Sequence, residues 1–159
     1  MQMTGKPRRG SFISKVLRPW WRLTRGLTLG AQGVVVDARS KVLLVRHGYR
    51  PGWHFPGGGV ERNETLLVAL ARELEEETGV TLKQQPVLHG LFSNGDNFPG
   101  DHIALFIVRE WDQPQMPRPN AEIAEQGFFA MDDVPAGTDA GTRRRLGELF
   151  NGKDVSDKW

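Results

Sequence analysis

The stretch from Gly57 to Val80 constrains the fold more than any other part of this chain. It opens on Gly57-Gly58-Gly59 and closes on Gly79-Val80, with a glutamate-rich segment between them. Asn63 is a good N-cap, Glu64 suits a first helical turn and Gly79 is placed as a C-terminal stop, so a helix is expected over 63–78. Leu66, Leu67, Leu70 and Leu74 give that helix one apolar stripe, which has to pack on another layer. At about 100° per residue, Glu76 lies about −60° and Glu77 about +40° from Glu73, so these three carboxylates share one face. Glu75 lies about 200° away and is expected in solvent. Helix propensity gives no reason to crowd like charges on one face. A hard divalent cation such as Mg²⁺ or Mn²⁺ does, because it takes carboxylate oxygens. The glycines add a second element: backbone without side chains can bring carbonyls to a metal or N–H groups to a phosphate, which makes Gly57 and Gly58 candidates for metal and substrate contact.

Around this segment the pattern is that of strands. Gly33–Asp37 and Lys41–Val45 are β-rich runs, and Ala38-Arg39-Ser40 suits a short hairpin turn between them. Trp53-His54-Phe55 is a short extended piece. Further strands are expected near Pro86–Phe92, Ile103–Arg109 and Gly127–Ala130, with a closing helix over Thr138–Phe150. Strand runs with two inserted helices place the chain in the α/β class, with a mixed sheet between helices. Arg46, ending the second strand near the glycines, is a candidate for a substrate phosphate, and an exposed strand-end arginine is nearly as good a reading. Tyr49, Trp53, Phe98 and Trp111 could stack on a base, although packing is the commoner use of such residues. The four histidines are scattered, and no cysteine exists to complete a thiolate zinc site.

The central segment resembles the Nudix box: a glycine, five residues, Glu, seven residues, then Arg-Glu-aliphatic-x-Glu-Glu-x-Gly-aliphatic. Gly58, Glu64, Arg72, Glu73, Leu74, Glu76, Glu77, Gly79 and Val80 meet every fixed position. Flanking features carry the resemblance over about residues 28–150. They include Trp53-His54-Phe55-Pro56-Gly57-Gly58 before the box and Phe128-Phe129 with Met131-Asp132-Asp133-Val134-Pro135 after it. The resemblance, to MutT-like Nudix hydrolases without an assigned subfamily, implies an α/β/α sandwich around a mixed sheet. It also implies a Mg²⁺- or Mn²⁺-dependent pyrophosphohydrolase acting on a nucleoside diphosphate-linked compound or a nucleoside triphosphate.

By the same resemblance, Glu73, Glu76 and Glu77 hold the metal, often joined by the Gly57 carbonyl. Arg72 orients the glutamate face, and Glu64 helps position the ligands. The general base differs among family members. A box glutamate would make it Glu73 or Glu76, whereas a glutamate on a later loop would make it Glu122 or Glu125. Spacing to Phe128-Phe129 favours Glu122. Phe98 lies near the place of a tyrosine found in dinucleoside polyphosphate hydrolases. Asn63 replaces a glycine common before the first box glutamate, and asparagine tolerates left-handed backbone. A Nudix-fold module that senses a nucleotide without cleaving it is the competing class, and the intact glutamates argue against it.

Charge divides the chain. Residues 1–30 hold seven basic groups and no acidic one, which leaves 14 basic against 19 acidic residues and a net of about −5 for the remainder. An acidic body argues against nucleic acid as the main partner. The expected organisation is a basic amphipathic segment over 1–26, a Nudix domain over 27–151 and a tail over 152–159. The first segment is read as packing on the acidic body or across a homodimer. Contact of residues 11–25 with an anionic membrane surface is the less favoured alternative, because Pro19 interrupts the helix. A chain without cysteine fits a cytoplasmic location.

Overall fold

The computed structural model describes residues 26–159, so the readings of the basic N-terminal segment lie outside the described residues. Among the described residues nine strands and two helices follow in order: β1 (Thr28–Val35), β2 (Val42–His47), β3 (Trp53–His54), β4 (Gly57–Gly59), α1 (Leu66–Thr78), β5 (Thr81–Leu82), β6 (Val87–Ser93), β7 (Asp101–Val108), β8 (Trp111–Asp112), β9 (Ile123–Phe129) and α2 (Ala140–Asn151). A four-stranded sheet has the order β4-β1-β7-β6, a three-stranded sheet the order β3-β2-β9, and β5 pairs with β8. The four-stranded sheet is mixed. β1 and β7 run parallel through eight residue pairs, while β4 and β6 add antiparallel edges.

Side-chain alternation along β1 and β7 makes two cores. Ala31, Val35, Ala104, Phe106 and Val108 face α1 and meet Leu70 and Leu74. Val34, Ile103 and Leu105 face the other way, toward Leu44 of β2, Phe55 and Leu146 of α2. Helices thus cover both faces, as the α/β/α expectation required. Gly33 sits under α1, where a Cβ would lie 3.3 Å from both Leu70 and Leu74, so the helix rides close to β1. Among the described residues no helix is long and apolar enough to cross a membrane.

Several boundaries differ from expectation. Residues 38–40 do turn the chain, with Asp37 Oδ1 accepting from the Arg39 and Lys41 N–H groups at 2.8 Å each. They do not close an ordinary hairpin: β1 and β2 meet at the Val36–Val42 bridge and then enter different sheets. Helix α1 starts three residues later than expected. Thr65 is its cap, accepting from Val68 N at 3.3 Å, while Asn63 takes a left-handed conformation at φ 67°. Gly79 ends the helix at φ 74°, its N–H returned to Glu75 O. β9 begins at Ile123 rather than Gly127, which places Glu125 inside the sheet. The closing helix starts at Ala140, capped by Asp139 through Thr142 N at 3.0 Å. Residues 152–159 fold back on the body. Trp159 is buried near the Phe55 and Phe92 rings, and its N–H donates to Ser93 O at 2.9 Å.

Candidate active site

β4 presents the glycines because it pairs with the middle of β1, in the register Gly30–Gly59, Ala31–Gly58 and Gln32–Gly57. Gly57 has φ 138°, and a Cβ there would enter the Ala31 backbone. Gly58 faces α1. A Cβ on it would stand 2.5 Å from the Glu73 carboxyl carbon, so the Glu73 carboxylate occupies the space a side chain would need. Glycine turn and glutamate helix are therefore one unit.

Arg72 ties that unit together. Its Nε and Nη2 donate to the two Glu64 oxygens at 2.9 and 3.0 Å, Nη1 donates to Glu73 at 2.6 Å, and Nη2 also reaches Gly59 O at 3.1 Å. The Arg72 hydrogen bonds hold the Glu64 carboxyl below its ordinary pKa. Glu64 also accepts from Glu61 N at 2.9 Å, which steadies the approach to α1. Glu77 turns inward. It is 4% exposed, and its Oε2 accepts from Gly57 N at 2.8 Å. Burial, with the charges of Glu73 and Glu122 behind it, pushes the Glu77 carboxyl up to about 8. Burial raises Glu73 as well, against the Arg72 bonds. Glu76 stays largely in solvent, with a contact to Arg72 at 3.5 Å, and Glu75 is exposed as expected.

His47 and Arg50, to which sequence reasoning assigned no specific site role, join Tyr49 and Glu122 around Glu77. His47 ends β2 and is 3% exposed. Its Nε2 lies 3.0 Å from Arg50 Nη2, and because an arginine can only donate, that nitrogen accepts and Nδ1 carries the proton. Nδ1 faces Glu77 Oε1 at 3.9 Å without a full hydrogen bond. Burial, and then Arg50 and His54, push His47 down to about 4, so it is neutral at ordinary pH. Tyr49, whose ring lies 5.1 Å from that of His47, is exposed. The Glu122 carbonyl accepts from Gly48 N at 2.9 Å, which brings its loop to the β2–β3 loop, and the Glu122 charge acts on both Glu73 and Glu77. A small cleft of about 130 Å³ lies beside Glu77, lined in part by Met116, Pro117, Pro119, Ile123 and Gln126.

Two expected site residues stand differently. Arg46 is not a free cation, because β2 and β9 pair Arg46 with Glu125 and the guanidinium bonds that carboxylate at 2.9 Å. This pairing also removes Glu125 from the loop where it was expected. Phe98 is exposed on the β6–β7 loop, where its N–H donates to Asn94 O and its carbonyl accepts from Asp101 N.

The oxygen donors suit a hard divalent ion. Among the described residues Glu77 Oε1 has no hydrogen-bond donor, and Glu76 is accessible. Burial raises the pKa of both Glu73 and Glu77, and a cation beside them would favour their ionised forms. Among the described residues, no three acidic or histidine side chains already close around a common point. The donors fit such an ion by their oxygen chemistry.

The NUDIX domain family model matches residues 26–150. The chain belongs to the NUDIX family. An 8-oxo-dGTP diphosphatase of Proteus vulgaris is 38% identical over 87 residues, covering 51% of this chain and 75% of that protein. An RNA pyrophosphohydrolase of Coxiella burnetii is 31% identical over 122 residues, covering 72% of this chain but 46% of that protein, so the chain spans under half of that relative. Among solved structures, a MutT NUDIX hydrolase from Burkholderia pseudomallei aligns with a TM-score of 0.66 at 25% identity, over 77% of this chain and 97% of the other. A mutator MutT protein from Bacillus halodurans aligns with a TM-score of 0.64 at 26% identity, over 83% and 85%. The Nudix fold and hydrolase class expected from the glycine and glutamate pattern are both upheld.

Proposed function

We propose that this Nudix chain is a divalent-metal-dependent pyrophosphohydrolase, cleaving a phosphoanhydride bond in a nucleoside diphosphate-linked compound or a nucleoside triphosphate. The observation that carries this reading is the Glu73 carboxylate lodged against Gly58, where any side chain would displace it. A helix that only exposed its charges would have no need of that contact.

Glu73, Glu76 and Glu77, with the Gly57 carbonyl, would hold the ion. Mg²⁺ or Mn²⁺ bound there would neutralise pyrophosphate oxygens and lower the pKa of the attacking water. Arg72 fixes the Glu73 rotamer through its short hydrogen bond and keeps Glu64 in place. Glu122 is the favoured acceptor for the water's proton. It is exposed, its charge reaches Glu73 and Glu77, and among the described residues it forms no ion pair. The Gly58 backbone and Phe98 belong to the same reading as substrate contacts. Relatives named for 8-oxo-dGTP, RNA and ADP-ribose support the anhydride and leave its carrier open.

The test is phosphate release from a panel of nucleoside triphosphates and nucleoside diphosphate conjugates with Mg²⁺, with product identification. Wild-type protein is expected to be active and Glu76→Gln nearly inert. Equal rates in both proteins would overturn the metal assignment.

A further inference from the structure

We propose that Arg50 grips a phosphate group of the substrate, in the role that the sequence suggested for Arg46. This inference rests on the pyrophosphohydrolase reading for the identity of its ligand. The geometry of Arg50 stands apart from that reading.

The positive charges near the glutamates are unequally committed. Arg72 is engaged by Glu64, Glu73, Glu76 and the Gly59 carbonyl, and Arg46 by Glu125. Arg50 forms no ion pair among the described residues. It is nevertheless held, because Nη2 donates to His47 Nε2 at 3.0 Å. A neutral imidazole fixes the guanidinium in space without cancelling its charge, which a carboxylate would have done. Among the described residues Arg50 Nε is buried without a hydrogen-bond partner, an unusual state for so strong a donor. The His47 ring lies between the two groups, with Arg50 Nη2 at 3.0 Å from its Nε2 and Glu77 Oε1 at 3.9 Å from its Nδ1, so the guanidinium stands one imidazole away from the carboxylate site.

An arginine that is held in place and has no counter-charge among the described residues matches a phosphate. The planar fork offers paired N–H donors to two phosphate oxygens, and prior positioning by His47 lowers the entropy lost on binding. The expected contact is to the diphosphate of the substrate rather than to its base or sugar.

The test uses full-length protein with Mg²⁺ and methylenediphosphonate, a pyrophosphate mimic with a carbon bridge that resists hydrolysis. Calorimetry gives its Kd for wild type, Arg50→Gln and Arg50→Lys, and steady-state kinetics gives KM and kcat. Glutamine keeps an N–H for His47 and loses the charge, while lysine keeps the charge and loses the fork. The expected result for Arg50→Gln is a Kd weakened about 10-fold to 100-fold, the range for losing a charge-assisted hydrogen bond. KM should rise in parallel, kcat should stay within about 3-fold, and Arg50→Lys should fall between. An unchanged Kd in Arg50→Gln would overturn the proposal. So would a fall in kcat with Kd and KM unchanged, because Arg50 would then act only through His47 and Glu77. Arg50-dependent binding by a wild-type protein that hydrolyses nothing would instead defeat the pyrophosphohydrolase reading and leave Arg50 as a phosphate ligand.

Discussion

Replacing Glu77 with glutamine should change how stability depends on pH in the metal-free protein. The Glu77 carboxyl is held up to about 8 in the fold, against an ordinary value of 4.5. Below pH 4.5 it is protonated in both states. As pH rises, the unfolded chain releases this proton first, and the folded chain keeps it until about pH 8. Unfolding therefore releases a proton through that window, and the raised pKa means that stability falls as pH rises. His47 and His54, lowered from 6.5 mainly by burial, act in the opposite sense: stability is lost as pH falls below 6.5. Glutamine is close to isosteric and can still accept from Gly57 N, and both histidines remain in both proteins. Their effect drops out of the difference between wild type and variant. From pH 6.5 to 8 the linkage relation gives a wild-type loss of about 1.6 kcal/mol relative to Glu77→Gln. With a urea m-value of roughly 1.5 kcal/mol/M, the midpoints should diverge by about 1 M. Urea unfolding in EDTA at several pH values measures this directly. Parallel midpoint curves for the two proteins would refute the assignment of a raised pKa to Glu77. Saturating Mg²⁺ should flatten the wild-type slope, since a cation favours the ionised form.

Gly58→Ala places a methyl where the Glu73 carboxylate lies, and kcat should fall about 100-fold for a misplacement near 1 Å while circular dichroism stays native. An unchanged kcat would show that the contact is dispensable. Thr65→Ala removes the true cap of α1 and should cost about 1 kcal/mol in chemical unfolding. Asn63→Gly, at a left-handed position, should cost no more than a few tenths, and the reverse order would restore Asn63 as the cap. Trp159→Ala empties a site near Phe55 and Phe92 and should cost about 3–5 kcal/mol in the same assay, whereas a loss below about 1 kcal/mol would mean that the tail is not part of the core.

Local signals were legible where one segment carries its own physics. The leucine stripe, the glutamate face and the Gly79 stop describe α1 without reference to anything else. Its start was misplaced because Asn63, Glu64 and Thr65 follow one another and two of them can cap. Only the turn that presents Glu64 to Arg72 decides between those two. Arg46 looked free because its partner Glu125 is 79 positions away, and nothing local announces the β2–β9 register. Arg50 and His47 escaped notice for the same reason: they flank a loop whose importance comes from Glu77 and Glu122 being folded against it. The tail was read as an appendage because no periodicity in eight polar-rich residues reveals that Trp159 fills a gap in a distant core.

The parallel pairing of β1 with β7 sets the order in which this protein can assemble. The two strands match residue for residue, Thr28 with Asp101 through Val35 with Val108, so each contact closes a loop of some seventy residues. The glycine turn and the box helix both lie inside that loop, and both dock on β1. Non-local parallel ladders form slowly, because the loop entropy is lost before the contacts repay it. Until the ladder closes, β1 lacks the neighbour that holds it in the sheet, and the carboxylates have no fixed floor. The chain should therefore fold more slowly than a helical protein of its length, and catalytic competence should appear with the last slow kinetic phase rather than with the early rise in helix signal.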